Sequence, residues 1–137
     1  MTTTPSLPDL YARVQAACLE ACPPQVSVVG GIFQLAIECT DVGHCASWSW
    51  ATDATMPVVQ SLILAACVRW LADNGHQTIC IEKNNSNRTP SHYPQYLPKH
   101  FVVEIMDTPI YQQTFSDNLA IAALLAVEAV CKERGNA

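Results

Sequence analysis

Val26-Ser-Val-Val-Gly-Gly-Ile-Phe-Gln-Leu-Ala-Ile-Glu-Cys39 holds two apolar runs parted by a pair of glycines. Glycine supplies the positive φ angles that a two-residue turn needs, so the stretch predicts a β-hairpin. Its register follows by counting: Val29 faces Ile32, Val28 faces Phe33, Ser27 faces Gln34 and Val26 faces Leu35. That pairing places Val26, Val28, Phe33, Leu35 and Ile37 on one face, and a register with one apolar face resists slippage.

Working outward, a helix is expected over residues 7–22, opened by Ser6 with Asp9 three residues on, as in a capping box. Leu10, Val14, Ala17 and Ala21 follow at helical spacing, and Pro23 and Pro24 end the pattern. Beyond the hairpin, Asp41-Val-Gly-His44 reads as a turn into a third strand, 45–51, carrying Trp48 and Trp50. Thr55 and Pro57 open a second helix, closed after Asp73 by Asn74-Gly75. Val59, Ile63, Ala66 and Trp70 line one side of it and Leu64, Val68 and Leu71 another, which makes this helix the expected centre of the fold. Residues 77–83 and 100–106 alternate as strands, Asp107-Thr-Pro109 turns into a short strand at 110–114, and Ser116 caps a last helix reaching about Arg134. The expected class is α+β, with three helices and six strands, mostly antiparallel, ordered α-βββ-α-βββ-α in one domain.

Composition bounds the function. Among 137 residues, 50% are hydrophobic and only 14 are Gly or Pro, enough apolar surface to offset the entropy of ordering a chain. Twelve acidic against seven basic side chains leave a net charge of −5, which argues against duplex DNA as partner. The N-terminus shows neither a basic region nor an apolar run of the secretory kind, and the apolar run 56–72, broken by Gln60, Ser61 and Arg69, is short for a bilayer. A soluble cytoplasmic protein without membrane contact is the expectation. Seven cysteines cannot all pair, and Cys18, Cys67, Cys80 and Cys131 fall inside elements, where reduced thiols pack as small hydrophobes. In that compartment the sequon Asn87-Arg88-Thr89 stays idle.

Four places invite a functional reading. Residues 84–99 lack periodicity and hold three prolines, with Lys83, Arg88, His92, Tyr93, Tyr96 and Lys99 in or beside them. Aromatic and small polar residues together make a binding loop, and the cations form a positive patch on an acidic chain. The bland alternative is a floppy hairpin tip. On the last helix Asp117, Ile121, Leu125, Glu128 and Lys132 form a line, so Ile121 and Leu125 are aliphatics in a polar stripe and candidates for a homodimer contact. Isolated exposed aliphatics are also common on any surface. Trp48 and Trp50 are expected to be buried against a helix, with binding anchors as the other reading. Cys39, His44 and Cys45 have ligand types but no paired CxxC spacing, so no metal or other cofactor is expected. Cys45 as a nucleophile, served by His44, His76, His92 or His100, would need convergence that spacing does not supply.

No Walker A loop, dinucleotide fingerprint, G-x-S-x-G elbow or H-E-x-x-H occurs. The residues alone therefore assign no reaction, and a non-enzymatic binding protein is the expectation. The second half, with its Ala-rich Phe115-Ser-Asp-Asn-Leu-Ala-Ile-Ala-Ala-Leu-Leu-Ala-Val, resembles small phage-encoded ABA-sandwich proteins over residues 57–131. The resemblance implies a phage or prophage accessory protein and transfers no catalytic residue. That class includes inhibitors of bacterial defence such as anti-CRISPR proteins, which occlude a surface of a host complex. The other reading is a small-ligand binder that sequesters a nucleotide, with Arg88, Lys83, Tyr93 and Trp50 as phosphate and base contacts.

Overall fold

The computed structural model describes residues 5–39, 45–75, 79–91, 94, 96–105 and 112–135, with side chains described except at 37–39, 45–48, 112 and 134–135. In chain order come α1 (Leu7–Ala17), a single 3-10 turn (Leu19–Ala21), β1 (Val26–Val29), β2 (Ile32–Cys39) and β3 (Cys45–Trp50). Then follow α2 (Met56–Asp73), β4 (Ile79–Lys83), β5 (Phe101–Ile105), β6 (Gln112–Ser116) and α3 (Leu119–Gly135). The α-βββ-α-βββ-α order is thus present. Its strands form two antiparallel three-stranded sheets, β1-β2-β3 and β4-β5-β6, each a meander.

The first hairpin pairs as counted from sequence, Val26 with Leu35 through to Val29 with Ile32. Gly30 (φ 60°) and Gly31 (φ 78°) both sit in the left-handed region, so side chains there would strain the turn. Its apolar phase faces inward, with Val26 and Phe33 buried and Val28 and Leu35 half-buried against the core. Ser6 caps α1 by accepting from the Asp9 N–H.

Three boundaries differ from expectation. The first helix ends at Ala17 and not near 22, because Cys18 leaves helical geometry (φ −151°, ψ 80°) before the 3-10 turn. That break returns the chain beneath α1, where the Tyr11 hydroxyl donates to the carbonyls of Val26 (2.7 Å) and Pro23 (3.2 Å). Tyr11 also meets Phe33 edge to face at 5.6 Å, joining α1 to the first sheet. The last strand is Gln112–Ser116 and not 110–114. The last helix is consequently capped by Asn118, whose Oδ1 accepts from the Ile121 N–H, while Ser116 Oγ accepts from the Asn118 N–H one step earlier. The turns expected at 41–44 and 107–109 lie outside the described residues.

The centre of the fold is α3 and not α2. It packs against α1, α2, β5 and β6, and Ala120 to Leu124, Ala126, Val127 and Val130 are all buried. Ala122, Ala123 and Ala126 are wholly inaccessible, and small side chains let neighbouring backbones approach closely. Thr114 Oγ1 donates to the Ala122 carbonyl at 2.6 Å, tying β6 to this helix. The first sheet reaches the core from the other side, through contacts of β1 with α1 and α2. By length and composition alone α2 could cross a membrane. Its inner side, Val59, Ile63, Cys67, Trp70 and Leu71, belongs instead to the core, and no other described helix meets that length and composition.

Cys22 and Cys67 are buried and unpaired by disulfide, while Cys18 and Cys131 are half-buried against the same core. Burial pushes the Cys22 thiol up to about 11 and the Cys67 thiol further in the same direction, which keeps both protonated and unreactive.

Candidate functional site

Asn84 organises the long loop. It is buried, its Nδ2 donates to the carbonyls of Arg88 (3.0 Å) and Tyr96 (2.9 Å), and its Oδ1 accepts from the N–H and hydroxyl of Ser86. Its backbone bonds to His100 and Lys99 across the loop mouth. One amide therefore ties both halves of the segment together at its base. Lys99 completes the closure at φ 66°, a left-handed conformation uncommon for a side chain with a Cβ.

The expected binding cluster is divided by the strand pleat. Lys83 pairs with Phe101 in register and its ammonium lies 5.5 Å from that ring, a cation–π contact. Arg88 and Lys99 are exposed on the loop, whereas Tyr96 folds over the opposite phase of the sheet and packs on Phe115 with centroids 5.6 Å apart. His92 and Tyr93 lie outside the described residues.

Under Tyr96 the strands build a feature that the apolar phase of the sequence conceals. Cys80, Glu104 and Gln113 are register partners across β4, β5 and β6, and Glu82, Val102 and Phe115 form the next row on the same phase. These six side chains and Tyr96 line a shallow cup of about 210 Å³. Gln113 Nε2 donates to Glu104 Oε2. Burial, and then the negative charges of Glu82 and Glu104, raise the Cys80 thiol, while burial and Glu82 raise the Tyr96 hydroxyl. Both thiol and phenol therefore stay protonated, so neither is an activated nucleophile or base at neutral pH. The sequence signal was present: Cys80 and Glu82 interleave with Ile79 and Ile81, and Glu104 sits between Val103 and Ile105. Counting only the apolar partners hides the polar phase.

The first sheet has an outward phase as well. Val29 pairs with Ile32, Gln34 with Trp50 and Ser27 with Gln34, so Ile32 and Trp50 are diagonal neighbours around Gln34. Val29 is 50% exposed, Ile32 53% and Trp50 53%. The burial expected for Trp50 is thus corrected: the core takes the Phe33 phase of the sheet, and Gln34 carries its partner Trp50 to the other. Trp48 lies in β3, but its side chain is outside the described residues.

The stripe on α3 is also redrawn. Ile121 is only 8% exposed and belongs to the core cluster, because α3 is enclosed by two helices and a sheet. It offers no surface for a second copy. Leu125 is half-buried and borders a groove with Gln113, Phe115, Glu128 and Lys132. Glu128 of that stripe takes a two-pronged bond from Arg13 of α1, at 2.6 and 3.0 Å, with Lys132 at 3.7 Å.

Cys39 and Cys45 face each other in the β2–β3 register, while their side chains and His44 lie outside the described residues. Among the described residues no group of three His, Cys, Asp or Glu could hold a metal ion. No protein-family model, curated protein or solved structure matches the chain.

Proposed function

We propose that this chain is a non-enzymatic protein-binding module of the cytoplasm that docks on a partner through the outward phase of its first sheet. One observation carries the reading: Val29, Ile32 and Trp50, each about half exposed, share the outward phase of the first sheet with Ser27 and Gln34. Large exposed aromatics rimmed by polar groups are the residues that dominate binding energy when a partner desolvates them. The net charge of −5 favours a partner with a basic surface and speeds encounter with it.

The resemblance of residues 57–131 to phage ABA-sandwich proteins supplies the setting we favour, a phage or prophage accessory protein that occludes a host protein complex. Nucleotide sequestration has less support. Its expected phosphate contact Lys83 lies over Phe101, and Tyr96 covers a cup lined by Glu82 and Glu104, which repel phosphate.

The test is paired affinity capture from bacterial host extract with the native chain and with Trp50→Asp. The expected outcome is a discrete host protein retained by the native chain, reduced at least about tenfold by the substitution, as for an anchor worth over about 1.4 kcal/mol. Thermal stability should be nearly unchanged, because the side chain is outside the core. The same protein retained equally by both forms would remove the first sheet as the docking face. Turnover of any substrate that is lost on replacing one histidine or thiol would overturn the non-enzymatic reading.

A further inference from the structure

The cup on the second sheet has its own chemistry, independent of the Trp50 patch. Its walls are two carboxylates on neighbouring strands, set diagonally because Glu82 faces Val102 and Glu104 faces Cys80. Diagonal positions in an antiparallel pair stand about 7–8 Å apart at the backbone, close enough for two side chains to converge on one small group. The floor is the buried Val102, and one side is the tilted pair of rings, Phe115 and Tyr96. We propose that this cup binds a guanidinium group, the side chain of an arginine presented by another protein.

Donor and acceptor counting supports that ligand. Ionised carboxylates only accept hydrogen bonds, and Gln113, whose amide nitrogen serves Glu104, adds a carbonyl oxygen. The Cys80 thiol and the Tyr96 hydroxyl add one donor each, and the thiol already serves Glu82. Acceptor sites therefore outnumber donors, and a fitting ligand is rich in donors and poor in acceptors. Guanidinium has five N–H donors and no acceptor, and its flat face stacks on aromatic rings, which an ammonium does less well. Size agrees, since about 210 Å³ accommodates a side-chain head but falls short of the cavities that enclose whole small molecules, roughly 300–1,000 Å³. Lys83 of β4 belongs to the other phase of that strand, over Phe101, and among the described residues no basic side chain pairs with Glu82. After burial, the charges of Glu82 and Glu104 raise the Cys80 thiol and that of Glu82 the Tyr96 hydroxyl, the direction expected where the local potential attracts positive charge.

The experiment is an amide NMR titration of the full chain with the peptide acetyl-Gly-Gly-Arg-Gly-Gly-amide, repeated with citrulline and with lysine in place of arginine. Saturable shifts are expected at Cys80, Glu104 and Gln113, including the Gln113 side-chain amide. Citrulline, which keeps the shape and loses the charge, should abolish them, and lysine should bind more weakly. Glu82→Gln and Glu104→Gln should each weaken the arginine peptide by about twofold to fivefold, the range for exposed ion pairs. Both substitutions conserve shape, and their spectra report folding directly. Trp50→Asp should leave the titration unchanged, which separates this site from the first sheet. Equal responses to arginine and citrulline, equal responses to arginine and lysine, insensitivity to both glutamine variants, or shifts confined to other residues would each overturn the proposal.

Discussion

Tyr11 and Cys22 are both buried in the core, and each is harder to ionise there than in water. Burial dominates both shifts, with each group adding to or offsetting the other through charge and hydrogen bonding. The sign of the pH effect follows from proton counting. Above its ordinary value of 9.0 the Cys22 thiol has lost its proton in the unfolded chain, yet the folded chain holds it until about 11. The unfolded state then binds fewer protons, so stability is full below pH 9 and declines as pH rises from 9 to 11. Tyr11, raised in the same direction, extends the decline. Thermal unfolding followed from pH 7 to 11 should show this fall, shallower in Cys22→Ala; a flat profile would contradict it. At Asn84 the expectation is local. Asn84→Ala should cost about 1–3 kcal/mol by leaving the Arg88 and Tyr96 carbonyls without their donor. Hydrogen exchange should rise between residues 85 and 99 while α3 stays protected.

Among the elements, α3 is joined to α1 by Arg13 and Glu128 and to β6 by Thr114. Arg13 is largely solvent-exposed, so a double-mutant cycle with Arg13→Ala and Glu128→Ala should give a coupling of about 0.5–1 kcal/mol that shrinks with salt. A coupling of zero would mean that the pair only decorates the helix contact. The element order and the first hairpin were readable from local pattern because turn chemistry and period-two alternation act over a few residues. The end of α1 was not readable, since Cys18 breaks the helix in favour of tertiary bonds from Tyr11 to residues 12 and 15 positions away. The centrality of α3 was hidden for a related reason: its stripe is exposed only at the ends, Asp117 and Lys132, while Ile121 is core and Glu128 meets α1 through Arg13. The cup needed cross-strand register among three segments, with Cys80 opposite Glu104 across a long loop and Glu104 opposite Gln113, which periodicity along one strand does not reveal.

For the whole molecule, one core cluster runs from Val26 and Phe33 of the first sheet, through all three helices, to Val103 and Ile105 of the second. The outer phases of the two sheets carry opposite chemistry, apolar around Trp50 and acidic with aromatic rings around Tyr96. Ile121→Asp buries a charge in that common core and should abolish folding, whereas Leu125→Asp, at a half-buried site, should remain folded with its molecular mass in solution unchanged. Light scattering after size exclusion, with circular dichroism, tests both. A folded Ile121→Asp of reduced mass would instead restore a self-association contact at that helix. The clamp at Asn84 has a practical reach. One buried amide grips the backbone at both Arg88 and Tyr96, so a segment placed between these two points is held at its ends by a side chain outside it. Foreign peptides could be spliced between those two grips, and lineages could diversify there, with the Asn84 clamp itself left untouched.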